Sequence, residues 1–154
     1  VSDYLCEFME RNKEGPFLAY YPMILPHWPF QPTPDSKDWD PKEWPRSKWN
    51  KPHFQDMVTC VDKIAKKLVA KIDDLGIREN TLVIFICDNV TYTGITSKMK
   101  DGTVIKGGKG SMPDAGNRVP FIANWSGHHK AGPSQAGNHR FLRYPPYPMR
   151  YRRI

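Results

Sequence analysis

From Phe54 to Leu75 apolar side chains recur at the spacing of one helical face: Phe54, Met57, Val58, Val61, Ile64, Ala65, Leu68, Val69, Ile72 and Leu75. Lys63, Lys66, Lys67, Lys71 and Asp73 occupy the intervening positions. The pattern predicts an amphipathic helix over residues 52–75 with a solvated lysine face, ended at Gly76 by a left-handed turn. The period then changes. Val83, Ile84, Phe85, Ile86 and Cys87 form an unbroken apolar run that ends in Asp88 and Asn89. Such a run predicts a buried strand over 82–87 with polar groups at its carboxyl end, where open α/β sheets place their ligands.

The rest of the chain sorts around these two elements. A helix is expected over roughly residues 2–11. After Gly15-Pro16, the run Phe17-Leu18-Ala19-Tyr20-Tyr21 predicts a second buried strand. Residues 22–52 contain eight prolines (Pro22, Pro26, Pro29, Pro32, Pro34, Pro41, Pro45 and Pro52), a density that excludes regular helix or central strand. Trp28, Trp39, Trp44 and Trp49 lie in the same stretch, so this long loop is expected to pack onto the body. Beyond Asn89 comes a polar stretch, then Thr103-Val104-Ile105 and the glycine-rich Gly107-Gly108-Lys109-Gly110. Residues 118–125 give another strand, with Pro120 at its start or on an edge. Helix, short connection and strand in succession indicate an α/β layer.

Charge divides the chain differently. The formal charge of +7 resides almost wholly in residues 130–154, where Lys130, Arg140, Arg143, Arg150, Arg152 and Arg153 face no acid. The expected organisation is therefore a nearly neutral folded part over 1–129 and a basic tail over 130–154, disordered or loosely attached. Cys6, Cys60 and Cys87 are odd in number and form no C-x-x-C pair, which argues against a disulfide framework or a thiolate metal site. Cys87, in the apolar strand, reads as a small buried hydrophobe. No segment reaches the length of a membrane span, and the first residues lack a signal-peptide layout.

The candidate chemistry sits at four positions. Asp88 and Asn89 offer carboxylate and amide oxygens, which suit a hard cation; their plain alternative is an ordinary turn at a strand end. Lys109 sits among glycines that let backbone approach an anion, and its plain alternative is a hairpin turn. A Walker loop is excluded, because Gly110 stands where that motif needs Ser or Thr. His27, between Pro26 and Trp28, can donate a hydrogen bond or move a proton near neutral pH, or can simply pack in an aromatic loop.

Taken in order, Phe17–Pro29, Asp88-Asn89, Gly107–Gly110 and Ala115-Gly116-Asn117-Arg118-Val119-Pro120 resemble the sulfatase family in its arylsulfatase-like branch, over about residues 15–128. The resemblance implies an α/β, alkaline-phosphatase-like mixed sheet flanked by helices, here incomplete, and hydrolysis of a sulfate ester. It also implies a formylglycine nucleophile, made from Cys or Ser, and a calcium ion. By motif position Asp88 and Asn89 resemble the calcium ligands, Lys109 the sulfate-binding lysine, and His27 the histidine that contacts sulfate. A periplasmic or secreted parent protein is the family expectation.

Three departures accompany the resemblance. Val90 follows the Asp-Asn pair where the family has glycine, and a β-branched residue there would strain a positive φ. The nucleophile motif Cys-x-Pro/Ala-Ser-Arg is absent, since Cys6, Cys60 and Cys87 are followed by Glu7-Phe8-Met9, Val61-Asp62-Lys63 and Asp88-Asn89-Val90. The family's N-terminal acidic pair is absent as well. These departures predict the later portion of a catalytic domain, inactive alone, with exposed apolar edges and a tail that has left the family's reading frame. Two rivals are a phosphatase or phosphonate hydrolase of the same superfamily, disfavoured by having only His27 and His53 before residue 128, and a nucleic-acid binder using the basic tail.

Overall fold

The structure is a computed structural model that describes residues 1–43, 50–112, 116 and 119–126. Trp44, Trp49 and the expected tail over 130–154 lie outside the described residues. Among the described residues there are two helices, α1 (Ser2–Asn12) and α2 (His53–Asp74), and four short strands, β1 (Val83–Ile86), β2 (Thr96–Lys98), β3 (Val104–Lys106) and β4 (Phe121–Asn124). Single 3-10 turns occur at Pro41–Glu43 and Arg78–Asn80.

Helix α2 follows its sequence pattern closely. Met57, Val61 and Ile72 are buried along one face. Its end is a Schellman turn: Gly76 takes φ +69°, its N–H donates to the Asp73 carbonyl, and the N–H of Ile77 donates to that of Ile72. The lysine face is not simply solvated, because Lys67 pairs with Asp3, Lys71 with Glu10 (2.7 Å) and Lys63 with Asp35 (2.7 Å). The first two pairs tie α2 to α1, which also buries Met9. Hydrogen bonds from Lys67 and Lys71, followed by their positive charges, keep the carboxyls of Asp3 and Glu10 below their ordinary range.

The long loop packs onto the body as expected, but through Phe30 and not through Trp28, one of the tryptophans on which the expectation rested, which is exposed. Phe30 is 0% exposed and forms a core with Met57 and Ile95, against which Leu25 and Phe54 pack. Polar ties then fix residues 33–38 to the start of α2. Ser36 Oγ donates to Asp56 Oδ2 at 2.7 Å while accepting from the Thr33 N–H at 2.9 Å. Buried His53 lies between Asp38 (3.3 Å) and Asp56 (3.4 Å). The Ser36 bond, followed by His53, holds the Asp56 carboxyl below its ordinary range.

Two sequence expectations fail in the strands. Residues 17–21 form no strand, and Leu18 is 88% exposed; the run has strand composition but pairs with none of the described strands. β1 alternates between half-buried and exposed positions instead of being buried throughout, since its outer face, with Ile84 and Ile86, is uncovered. Its Cys87 is a half-buried free thiol. The expected mixed sheet is not directly seen among the described residues. β1 pairs antiparallel with β4 (Ile84 opposite Ala123) and β2 pairs antiparallel with β3 (Ser97 opposite Ile105), as two separate two-stranded ladders. Two helices with two small antiparallel sheets are consistent with an incomplete α/β domain.

The β2–β3 hairpin lies in part within the stretch read only as polar. It turns at Gly102, with φ +87°, whose N–H donates to Met99 O at 3.0 Å. No described helix is long and apolar enough to cross a membrane.

Candidate functional site

Two loops meet beside the Phe30 core. The first carries His27 and Trp28 toward the buried anchor at Phe30, with the His27 N–H bonded to the Ile24 carbonyl at 2.9 Å. The second follows β1 and runs from Asp88 to Ile95, where Ile95 joins the same core. The glycine-rich turn after β3 closes onto this second loop: Gly107 N–H donates to Ile95 O at 2.8 Å and Lys109 N–H to Thr91 O at 3.1 Å. A Cβ at Gly107 would lie 2.0 Å from the Tyr92 carbonyl oxygen. A neighbouring stretch of this chain's own backbone thus already requires glycine there.

The turn delivers Lys109 to the first loop. Its Nζ stands 3.0 Å from His27 Nε2, across a separation of 82 residues. His27 Nδ1 is hydrogen-bonded to the Trp28 carbonyl, which can only accept. The proton therefore belongs on Nδ1, leaving Nε2 bare to accept from the Lys109 ammonium. That bond uses one of the ammonium's three hydrogens, so two remain for an anion.

Asp88 and Asn89 lie where β1 ends. The Cys87 N–H donates to the Pro120 carbonyl just before β4, which fixes the start of the turn. Asn89 Nδ2 donates to Asp88 Oδ2 at 3.0 Å, and both side chains are exposed. Burial, followed by the Asp88 charge, raises the Cys87 thiol and keeps it protonated. Val90 has no positive φ, so its β-branch is accommodated without strain.

The four predicted residues therefore form two pairs. Thr91 links them, because it follows Asp88-Asn89 by two residues and accepts from the Lys109 backbone. Among the described residues no hydrogen bond or ion pair joins one pair to the other. The donor set at 88–89 consists of hard oxygens, which fits calcium chemically but supplies only part of the six to eight ligands that ion takes. Consistent with this, no group of three or more His, Cys, Asp or Glu able to hold a metal occurs among the described residues.

Sequence reasoning missed two features nearby. Tyr92, within the polar stretch, stacks on Trp28 with ring centroids 6.5 Å apart and planes at 27°, and meets Phe30 edge-on at 6.0 Å. The bridge from His53 to Asp38 and Asp56 was also not foreseen. A lone aromatic and a lone histidine carry no periodicity, so only the fold reveals their partners.

The chain belongs to the sulfatase family: the Sulfatase family model matches residues 1–143. It is 30% identical to Arylsulfatase A of Homo sapiens over 122 residues, which are 79% of this chain and 22% of that protein. It is 24% identical to Arylsulfatase of Hemicentrotus pulcherrimus over 120 residues, 78% of this chain and 20% of that protein. It is 27% identical to N-acetylgalactosamine-6-O-sulfatase of Bacteroides thetaiotaomicron over 138 residues, 84% of this chain and 25% of that protein. The chain thus spans about a fifth to a quarter of the length of these relatives.

Proposed function

We propose that the protein containing this chain hydrolyses sulfuric esters on an alkaline-phosphatase-like sheet, and that His27 and Lys109 are its sulfate-contacting groups. The observation that carries this reading is the 3.0 Å approach of Lys109 Nζ to His27 Nε2. A cation alone would bind any anion. Bridged to a neutral imidazole, the ammonium holds a sulfate oxygen with its two remaining hydrogens; when Nε2 exchanges its bond to Lys109 for one to the substrate it can accept a proton and, once protonated, return one at the ester oxygen.

Asp88 and Asn89 would hold calcium through their side-chain oxygens, together with ligands from outside this chain. When bound, that ion would offset the negative charge of the sulfate group. The chain's own role is to place Lys109 and His27 at that group through the Gly107–Ile95 and Lys109–Thr91 backbone bonds and the Phe30 anchor. The attacking group, a formylglycine by family resemblance, would also come from outside these 154 residues, since none of Cys6, Cys60 and Cys87 begins the nucleophile motif. The isolated chain is accordingly inactive.

The test is turnover of a chromogenic aryl sulfate by the full-length protein and by the chain alone. Full-length protein turns over, and His27→Ala or Lys109→Ala lowers kcat by about 10²–10⁴-fold, the usual range for a positioned proton-transfer group. Turnover by the isolated chain, or wild-type rates in both variants, contradicts the reading.

A further inference from the structure

Trp28 and Tyr92 share the two loops that carry the His27–Lys109 pair. Trp28 follows His27 directly. Tyr92 follows Thr91, whose carbonyl accepts from the Lys109 backbone. The two loops therefore meet twice, once through an imidazole and an ammonium and once through a pair of stacked rings.

The two ring systems are held firmly yet remain accessible. Tyr92 rests edge-on against fully buried Phe30, and its carbonyl is hemmed in by Gly107. Even so, Trp28 keeps 41% of its surface exposed and Tyr92 37%. A rigid, partly exposed aromatic pair beside an anion-binding pair is an amphipathic arrangement, with one part suited to a charged group and the other to the flat apolar face of a ring.

We propose that Trp28 and Tyr92 form the subsite for the organic part of the ester, selecting sulfates carried on a ring whose face packs on the aromatic pair. This rests on the reading of His27 and Lys109 as sulfate contacts. The shared ligand chemistry is a six-membered ring with an apolar face, met either in an aryl group or in the C–H face of a pyranose sugar.

The experiment is steady-state kinetics of the full-length protein with an aryl sulfate, a pyranose sulfate and a linear alkyl sulfate, with inorganic sulfate as a competing inhibitor. Trp28→Leu retains apolar bulk but removes the ring. It is expected to raise KM for one or both ring-bearing esters roughly three- to tenfold, the scale of one aromatic stacking contact. KM for the alkyl ester and the inhibition constant of inorganic sulfate should move less than twofold. Trp28→Phe, which keeps an aromatic face, should restore most of the loss. A selective effect on the aryl ester identifies ring stacking, and one on the sugar ester identifies C–H packing; either supports the proposal.

Unchanged KM for both ring esters overturns it, as does an equal rise for all three substrates. Inhibition by inorganic sulfate in the unsubstituted protein separates the two levels. If inhibition is present and KM does not respond to Trp28, this subsite falls alone. If inhibition and turnover are both absent, the sulfate reading falls and takes the subsite with it.

Discussion

The helical part of the molecule and the β1–β4 ribbon treat their apolar residues in opposite ways. Around α2, Phe30, Met57, Val61 and Ile72 are buried, and the neighbouring charges find partners on α1 and the long loop. On the ribbon, Ile84, Ile86, Phe121 and Ile122 are exposed, as are Leu18, Tyr20 and Ile24 in the unpaired run before the loop. A helix satisfies its backbone internally and needs only one covered face. A strand needs both a neighbouring edge and a covered face. The contrast teaches that, among the described residues, the helical layer is closed and the sheet layer is left open.

The largest expected effect falls in the closed part. Phe30→Ala should cost about 3–5 kcal/mol, measured by denaturant unfolding, because it removes a fully buried ring on which Phe54 and Tyr92 rest. A loss below about 1 kcal/mol would mean that the loop is not part of the core.

An intermediate effect is expected at the polar tie between loop and helix. Ser36→Ala removes a donor to a carboxylate and should cost about 1 kcal/mol. The same bond gives a pH signature. Because the Asp56 carboxyl is lowered in the folded state, its stabilising contribution is fully present above the ordinary value of 3.8 and is lost as pH falls through the lower folded value. Ser36→Ala should flatten that acid dependence, as read from unfolding midpoints between neutral pH and about pH 3.

The smallest effect is expected on the open ribbon. Ile86→Thr in the isolated chain should change stability by less than about 0.5 kcal/mol, as for an exposed site, while improving solubility. The same substitution in the full-length protein should cost more, since further strands or helices are expected to cover that face. Equal effects in both settings would remove the contrast between a closed and an open layer.

The sequence foretold the self-contained features better than the shared ones. The spacing from Phe54 to Leu75 and the glycine at position 76 located α2 and its end, because helical period and left-handed capping are local. Strands at 83–86 and 121–124 were legible as apolar runs, but their antiparallel pairing is a long-range choice that no local pattern encodes. The run at 17–21 has strand composition without a described partner, so composition alone misled. At the site, the motif resemblance named His27, Lys109, Asp88 and Asn89. The meeting of the first two and the linkage through Thr91 came from the fold. Trp28 stood out only as one tryptophan among several, and Tyr92 only as part of a polar stretch.

The most direct measurement is a double-mutant cycle on kcat/KM of the full-length protein for an aryl sulfate, using His27→Ala, Lys109→Ala and the double variant. Because Lys109 donates to His27 and the two are proposed to hold one anion, the account predicts that the second substitution costs far less once the first is made, with a coupling of about 1–3 kcal/mol. Strictly additive losses would show that the two side chains act at separate places, and would contradict a shared sulfate site.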